Sequence, residues 1–415
     1  MAAPLIPYST ARTVATSHGT PVFVYDEARL RARAAAARAF PAPFGLTVRY
    51  AMKAAPTRAL LRFFDGEGLH FDASSGHEAE RLLLAGIEGN RISLSSQELP
   101  DNFHELVEMG VSVNACSLRQ LDQYGTAFPG TAVGLRFNPG LGSGGTNRTN
   151  VGGPASSFGI WHEKTTEARQ LAEAHRLNVF RIHTHIGSGS DPEVWKRTAG
   201  LSLKVAAAFD TVTHLNLGGG YKIARMEDER ETDLQAIGKP VADLLREFAE
   251  NTGRRLHVEI EPGTFLIANG CALLCRVQDV VDTGPAGYTF FKLDTGMTEI
   301  LRPSLYGSQH PIDIIRESPG KERKPAIVVG HCCESGDILT PADGDSEALA
   351  PRDLPPAEPG DLVLIGGAGA YCSAMAAKNY NSFPEAPEVL LRETGEIRLI
   401  RRRQSLAQIL QNELE

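Results

Sequence analysis

Short apolar runs alternate with helical stretches eight times between about residue 45 and residue 270, and this rhythm constrains the fold more than any other feature. Runs rich in β-branched residues predict buried strands, and helices between them predict parallel pairing. Eight evenly spaced units favour a closed (β/α)8 barrel, with an open doubly wound sheet as the alternative. The predicted strands are Thr47–Met52, Leu69–Ala73, Arg91–Leu94, Val111–Ala115, Ala132–Asn138, Val179–His185, His214–Leu217 and Leu256–Glu261.

Helix signals fill the gaps between these runs. Ser75-Gly76-His77-Glu78 is a capping-box pattern that opens a helix over Ala79–Ala85. Apolar residues recur with helical spacing through Thr165–Arg176 and Lys239–Asn251.

The rhythm changes after about residue 270, where Gly and Pro turns separate the apolar runs. A chain of 415 residues is also too long for one ordinary core. We predict a barrel domain of residues 29–270 and an all-β, β-sandwich-like domain of residues 1–28 plus 271–415. The predicted strands of the second domain are Thr20–Tyr25, Leu273–Val281, Tyr288–Leu293, Ala326–Gly330, Asp361–Ile365, Glu388–Leu391 and Ile397–Arg401. Composition predicts a surface loop over Thr340–Pro359, and Ser405–Leu414 is predicted to be a helix.

Composition narrows the classes of function. The net charge of −8 argues against a general nucleic-acid binder, and no apolar run is long enough to span a bilayer. Six cysteines in this length do not form a disulfide framework, and the N-terminus lacks the pattern of a signal peptide. We therefore expect a cytoplasmic protein without nucleic-acid or membrane partners.

Lys53 stands at the carboxyl end of the first predicted strand, where burial makes a charge expensive. Desolvation lowers the pKa of a lysine and makes its amine nucleophilic, which suits Schiff-base chemistry. On this segment alone, a lysine that snorkels or pairs with an acid is the simpler interpretation. Active sites of such barrels lie at the carboxyl ends of the strands, so the other strand ends decide between the two.

Three further strand ends carry unusual residues. Gly218-Gly219-Gly220 follows strand seven, and glycines let backbone amides approach a phosphate closely. Alternation places Glu259 and Glu261 of strand eight on the inward face, and it pairs His183 with His185 on strand six in the same way. The simplest interpretation is a polar layer whose members satisfy one another.

Two catalytic interpretations compete with the polar layer. His183-Thr184-His185 resembles the His-x-His of metal-dependent amidohydrolases, but there the pair lies on the first strand. A pyridoxal phosphate site needs an amine, a phosphate cradle, an aromatic group against the ring and a carboxylate at the ring nitrogen. Lys53, Gly218–Gly220, His185 and Glu261 supply these parts, which favours this cofactor and no metal.

Longer motifs are spread over nearly the whole chain. They are Pro21–Asp26, Tyr50–Ala54, His183–Gly189, Glu261–Gly263, Leu301–Gly307, Cys333–Asp337, Gly369–Tyr371, Asn379–Ser382 and Leu399–Gln404. In their order and number the chain resembles the alanine-racemase-fold (type III) pyridoxal phosphate decarboxylases, most closely their diaminopimelate branch.

The resemblance implies a cofactor site. Lys53 would bind pyridoxal 5'-phosphate covalently, His185 would stack on its ring and Glu261 would contact its nitrogen. Asp72 would lie close to the cofactor, although it is also a plausible loop residue before the Ser75 cap. The residues implied to hold the phosphate are Ser188, Gly218, Gly219, Gly220 and Gly263, with Tyr371 nearby.

The resemblance also implies a substrate site. Arg302 and Tyr306 would bind a distal carboxylate, and Glu334 a distal amine, with Tyr371 close by. Cys333 would enter from the partner subunit of a head-to-tail homodimer with two shared active sites and would assist protonation. Adjacent cysteines chelate poorly and bridge only with strain, so Cys332 and Cys333 do not indicate a metal or redox pair.

Two positions depart from the family pattern. Thr264 stands where an arginine usually follows Glu-Pro-Gly and helps to bind substrate, so one bidentate, always-charged carboxylate partner is lost. Ser157 stands where a lysine is common, which affects a loop contact.

The implied reaction is decarboxylation of meso-2,6-diaminopimelate to L-lysine. Thr264 keeps open a decarboxylase for ornithine, lysine or carboxynorspermidine. A racemase of this fold places an arginine at the ring nitrogen, which disagrees with Glu261. A non-catalytic homologue disagrees with the retention of Lys53 and Cys333.

Overall fold

The computed structural model describes residues 6–141, 152–185, 187–317 and 322–414. The chain divides into two compact units. The barrel unit comprises residues 32–223 and 230–266. The strand unit comprises the residues up to 31, the short segment 224–229, and the chain from 267 onward.

Eight parallel strands close the barrel unit, counted over the residues that the structure describes. Strand 8 pairs with strands 1 and 7, and strand 4 pairs with strand 5, so the sheet closes on itself. The predicted barrel is confirmed and the open doubly wound sheet is wrong. Barrel strands 1 to 8 are Leu46–Ala51, His70–Ala73, Ile92–Leu94, Ser112–Ala115, Ala132–Asn138, Asn178–Thr184, His214–Asn216 and His257–Ile260, and a short strand, Ile160–Trp161, adds to strand 5.

Helices connect the barrel strands, and a local cap fixes where one of them begins. Ser75 Oγ accepts a hydrogen bond from Glu78 N at 3.1 Å, which satisfies a free amide of the first turn. The Glu78 carboxylate accepts from Ser74 N at 2.7 Å, one residue earlier than a capping box predicts. The helices of this region are Glu27–Arg38, Arg58–Gly66, Gly76–Leu84, Phe103–Glu108, Leu118–Ala127, Thr165–Ala174, Pro192–Ala207, Leu234–Thr252 and Thr264–Ile267.

Glu259 of strand 8 belongs to a buried ion-pair network inside the barrel. Arg49 Nη2 lies 2.8 Å from its Oε1, and Arg181 Nε lies 2.7 Å from its Oε2. Burial alone raises the pKa of Glu259, but Arg181 and Arg49 more than offset this and hold it well below its usual range. For Glu259, the polar-layer interpretation is therefore right.

The strand unit is mostly β, as predicted, with a helix at its N-terminal end. Val22–Asp26 pairs antiparallel with Cys271–Asp282 and parallel with Glu388–Leu391, so this early strand lies in the sheet of the strand unit. Val14 of the helix Tyr8–His18 packs into the buried cluster of this sheet. The other strands are Thr289–Leu293, Ile312–Ile315, Lys324–Val329, Pro341–Ala342, Asp345–Leu349, Arg352–Leu354, Leu362–Ile365 and Ile397–Arg401.

Two predictions for this unit are wrong. The segment Thr340–Pro359 contains three short strands rather than a loop, because strand pairing outweighs its Pro-rich and acidic composition. Two of these strands pair with each other, and the third pairs with the distant strand Lys324–Val329. The helix predicted over Ser405–Leu414 is limited to Leu406–Ile409, where Ser405 and Gln408 form a capping box. No helix in the described part of the chain is long and apolar enough to cross a membrane.

Candidate active site

Lys53 presents its amine at the mouth of the barrel. Strand 1 ends at Ala51, and the 3₁₀ turn Met52–Ala54 carries Lys53 beyond the strand end. Lys53 Nζ donates to Ser74 Oγ at 2.9 Å and lies 3.8 Å from Asp72 Oδ2. The side chain is 40% exposed, so the amine is paired with polar groups yet accessible to a small molecule.

Asp72 is a buried acid at the end of strand 2. Its Oδ1 finds no hydrogen-bond partner in the described part of the chain, and the residue is 3% exposed. Burial and the nearby Glu261 carboxylate raise the pKa of Asp72 to about 7, with Lys53 opposing the rise. Asp72 therefore exchanges a proton near neutral pH beside the Lys53 amine.

Glu261 is a buried carboxylate held in its charged form. Asn216 Nδ2 donates to its Oε1 at 2.6 Å, and His183 Nε2 lies 3.1 Å from its Oε2. Burial raises the pKa of Glu261, but His183 and Asn216 outweigh this and hold it well below its usual range. Glu261 directly follows strand 8 and is thus an anion at the barrel mouth, with which no arginine of the described residues forms an ion pair.

His183 and His185, which we expected to share the inward face, have different surroundings. His183 is buried against Glu261, whereas His185 follows the last residue of strand 6 and is half-buried. His185 Nδ1 accepts a hydrogen bond from Gly187 N at 2.9 Å. Burial, Arg136 and Lys53 hold the pKa of His185 well below its usual value, so the ring is neutral. In the described residues no group of three or more His, Cys, Asp or Glu is placed to hold a metal ion.

The glycine run after strand 7 packs too closely on its neighbours for any side chain. A Cβ on Gly219 would lie 2.5 Å from the Glu261 carbonyl oxygen, and one on Gly218 would lie 2.6 Å from that of Thr184. Asn216 Oδ1 accepts from Gly218 N at 2.8 Å, so the same amide side chain holds both the glycine run and Glu261.

Gly220→Ala will destabilise this loop, because Gly220 has a φ of +102° and a new Cβ would overlap the carbonyl of Gly187. We expect the variant to lose at least about 2 kcal/mol of unfolding free energy and to bind pyridoxal phosphate more weakly. Gly253→Ala is the matched control, since Gly253 also has a positive φ but faces open space. Urea unfolding and cofactor titration measure both; equal losses in the two variants would contradict the close packing.

The remaining barrel candidates line the same strand ends. Ser188 is half-buried in the loop after strand 6, and Gly189 N donates to Gly220 O at 3.0 Å, which joins that loop to the glycine run. Gly263 is buried three residues after the end of strand 8, and the next residue, Thr264, begins a short helix.

These barrel residues fit pyridoxal phosphate. An accessible amine, a neutral imidazole, an ionised carboxylate and a glycine run that admits no side chain all stand at the carboxyl ends of strands 1, 6, 8 and 7. The buried Asp72 Oδ1 is left without a partner among them. The cofactor's phosphate and ring nitrogen need such groups.

The strand unit carries the other candidates. Arg302 opens the helix Arg302–Tyr306, its guanidinium lies 5.7 Å from the centre of the Tyr306 ring, and its Nη2 donates to Ser308 Oγ at 3.3 Å. Tyr371 is half-buried and has a φ of +55°.

Cys333 is exposed on a loop held firmly at its base. Its backbone N–H donates to Asn381 Oδ1 at 2.9 Å, and Glu334 beside it is exposed as well. The buried Asp337 accepts from Cys332 N at 3.0 Å and from Met297 N at 2.7 Å. The loop therefore presents Cys333 and Glu334 outward from a fixed base.

Glu299, in the strand unit, makes stability depend on pH. The residue is 2% exposed, and burial raises its pKa to about 7 although Thr298 and Thr295 donate to it. The folded state therefore keeps a proton that the unfolded state loses above pH 4.5, so stability falls as the pH rises towards 7 and then levels off.

Glu299→Gln should remove this dependence. Relative to wild type, we expect the variant to gain about 3 kcal/mol between pH 4.5 and pH 7. Urea unfolding across this pH range measures the difference, with the exposed Glu347→Gln as control. Parallel pH profiles for wild type and Glu299→Gln would contradict a protonated Glu299.

Sequence reasoning named His183 and Asp337 without finding what they support, and it missed Asn216. Asn216 and His183 fix Glu261, and Asp337 fixes the Cys333 loop. Asn216 stands two residues before Gly218, and strand alternation places the two on the same face. This spacing could have indicated that Asn216 lies near the glycine run. Asp337 could not be found in this way, because the segments it joins are distant in sequence.

The fold and the barrel residues together define a pyridoxal phosphate enzyme of the barrel class. Residues 28–268 match the family described as "Pyridoxal-dependent decarboxylase, pyridoxal binding domain". The chain belongs to this family of pyridoxal-dependent decarboxylases.

Three similar proteins carry a more specific name than the family, and all three are diaminopimelate decarboxylases. The chain is 36% identical to diaminopimelate decarboxylase of Streptomyces coelicolor over 412 residues, which cover 97% of this chain and 91% of the relative. A crystal structure of diaminopimelate decarboxylase superposes with a TM-score of 0.90 at 32% identity, covering 99% of this chain and 98% of the other. The Helicobacter pylori enzyme complexed with L-lysine gives a TM-score of 0.86 at 26% identity, covering 96% and 98%.

Proposed function

We propose that this protein decarboxylates meso-2,6-diaminopimelate to L-lysine and CO2. The observation that carries the proposal is the pairing, in one barrel mouth, of an accessible Lys53 amine with a Glu261 carboxylate held ionised by its neighbours. The similarity to diaminopimelate decarboxylases over nearly the whole chain supports the choice of substrate.

The barrel residues would hold the cofactor and prepare it for the reaction. When bound, pyridoxal phosphate supplies an electron sink for the pair of electrons released as CO2 departs. Lys53 would hold the cofactor and carry protons at Nζ. Glu261 would favour a proton on the ring nitrogen, because its own charge is fixed by Asn216 and His183. His185 would stack on the ring as a neutral group.

Asp72 would regulate the charge around Lys53. With a pKa of about 7 and its Oδ2 at 3.8 Å from Nζ, it can take up a proton that the amine releases. Ser188, the glycines Gly218–Gly220, Gly263 and Tyr371 are proposed to hold the phosphate.

The reaction breaks the bond between the D-centre α-carbon and its carboxylate, and a proton takes the place of CO2. We infer that Cys333 of the partner subunit assists this protonation in a head-to-tail homodimer, because its thiol is exposed on a fixed loop. Light scattering of the purified protein measures its molar mass and so tests the homodimer. The cytoplasmic location stays a prediction.

Substrate recognition is proposed to rest on the strand unit. Arg302 and Tyr306 would bind the distal carboxylate, and the exposed Glu334 would bind the distal amine. Thr264 offers only a hydroxyl where the family usually has a guanidinium. This residue is the specific observation that favours the second candidate, a decarboxylase for ornithine, lysine or carboxynorspermidine.

An assay of the purified protein with pyridoxal phosphate tests the function. With meso-2,6-diaminopimelate we expect CO2 and L-lysine in equal amounts. Absence of both products would overturn the proposal, and racemisation of alanine without CO2 would favour a racemase instead.

A further inference from the structure

Two arginines of the strand unit have buried N–H groups that find no hydrogen-bond partner among the residues that the structure describes. Arg225 lies in the segment 224–229; its Nε donates to Gly367 O at 3.2 Å, while its Nη2 is buried and unbonded. Arg302 Nη2 donates to Ser308 Oγ, while its Nε is buried and unbonded. Within the described residues neither guanidinium forms an ion pair. Buried N–H groups normally have a hydrogen-bond partner, so an anion that accepts from both half-buried guanidinium groups fits this arrangement.

The two guanidinium groups flank the same small region. Arg225 packs on Gly367, and His310 Nδ1 lies 2.9 Å from the carbonyl oxygen of the adjacent Gly366. Arg225 and Arg302 both lower the pKa of the buried His310, after burial itself. Both also oppose the rise that burial produces in the pKa of Cys372, the residue after Tyr371. Arg225 and Arg302 are therefore neighbours beside a predicted active-site residue.

No carboxylate among the described residues pairs with the Arg225 guanidinium. Burial first and Arg302 second lower the pKa of Arg225 to about 9, which is a large fall for a guanidinium. Glu229, the nearest acid in sequence, accepts instead from the backbone amides of Arg225 and Met226 at 2.5 and 3.2 Å. Ser304 Oγ is a further buried atom for which the described residues offer no hydrogen-bond partner.

We propose that Arg225 and Arg302 together bind the distal carboxylate of the substrate, and that Arg225 is the specificity-determining residue that supplies the guanidinium which Thr264 cannot. This inference rests on the proposed function. Two guanidinium groups match a carboxylate with charge-assisted, forked hydrogen bonds. The carboxylate would therefore still contact two arginines, as in the family pattern. One of them would lie in the segment 224–229 instead of directly after Glu-Pro-Gly.

An oxyanion at this place could also be the cofactor phosphate, and the experiment separates the two sources. Arg225→Met and Arg225→Lys are assayed with pyridoxal phosphate bound, measuring kcat and KM for diaminopimelate and the dissociation constant of the cofactor. The exposed Arg246→Met, which removes a surface ion pair with Asp243, is the matched control.

We expect Arg225→Met to raise KM for diaminopimelate about 10- to 100-fold, with the cofactor dissociation constant unchanged within twofold. Arg225→Lys should recover part of the loss, because it restores the charge without the fork. The preference for diaminopimelate over L-ornithine, which lacks the distal carboxylate, should fall by a similar factor. Arg246→Met should leave all values unchanged.

Other outcomes overturn the inference. A cofactor dissociation constant that rises while KM stays constant assigns Arg225 to the phosphate. An unchanged KM in both Arg225 variants, with wild type active on diaminopimelate, removes Arg225 from the site while the proposed function stands. A wild type inactive on diaminopimelate contradicts the proposed function itself. If Arg225→Met does not fold, Arg225→Lys decides alone: wild-type KM and selectivity in that variant overturn the forked contact.

Discussion

Replacing Lys53 with methionine is expected to reduce kcat by at least about 10³-fold while the fold is kept. Methionine preserves an unbranched side chain but removes the amine that is to hold the cofactor. The Lys53 side chain is 40% exposed and lies on a short turn after strand 1, so little packing is lost with it. The buried Asp72 loses a neighbouring cation, but its carboxyl, with a pKa raised to about 7, can take up a proton instead.

The measurement combines steady-state kinetics with chemical trapping. Borohydride reduction of the wild-type holoenzyme, followed by peptide mass spectrometry, should locate the cofactor on Lys53 and find none in the Lys53→Met variant. Lys204→Met, at an exposed position on the helix Pro192–Ala207, should behave as wild type. A Lys53→Met variant with kcat within tenfold of wild type would rule out this amine as the catalytic one.

The second large expected effect is a loss of stability on replacing Glu259, the structural carboxylate of strand 8, as distinct from Glu261 of the candidate active site. Glu259→Ala should lower the free energy of unfolding by about 3–5 kcal/mol, because it leaves the buried guanidinium groups of Arg49 and Arg181 without their counter-charge. Burial already lowers the pKa of Arg181, which shows how poorly solvated that guanidinium is.

Urea unfolding of the protein without cofactor measures this loss. Asp243→Ala, which breaks an exposed pair with Arg246 of 2.6 Å, is the matched control and should change stability by less than about 1 kcal/mol. A loss below about 1 kcal/mol in Glu259→Ala would mean that the interior network does not support the barrel.

The barrel could be predicted from the sequence because its signal is local and repeated. Each strand is a buried β-branched run, and each helix has its own periodicity, so eight weak signals agree. The strands of the second unit were harder. Arg352–Leu354 has no strand composition and forms because the distant strand Lys324–Val329 supplies its hydrogen-bond partners, whereas Asp345–Leu349 pairs with the adjacent Pro341–Ala342.

The site shows the same division between local and long-range information. Alternation placed Glu259 and Glu261 on one face, but only the fold shows that arginines from strands 1 and 6 neutralise the first and not the second. Arg225 has no periodic signal, since it follows the glycine run in an irregular segment. Only the folded chain shows this half-buried guanidinium next to Arg302.

The central claim is that this chain is a decarboxylase selective for an amino acid with a distal carboxylate. A competition assay tests it most directly: equal concentrations of meso-2,6-diaminopimelate, L-lysine, L-ornithine and carboxynorspermidine are offered to the holoenzyme, and the products are identified by mass spectrometry. We predict that L-lysine accumulates and that the diamines and triamine expected from the other substrates stay at background. Consumption of ornithine, lysine or carboxynorspermidine ahead of diaminopimelate would contradict the account.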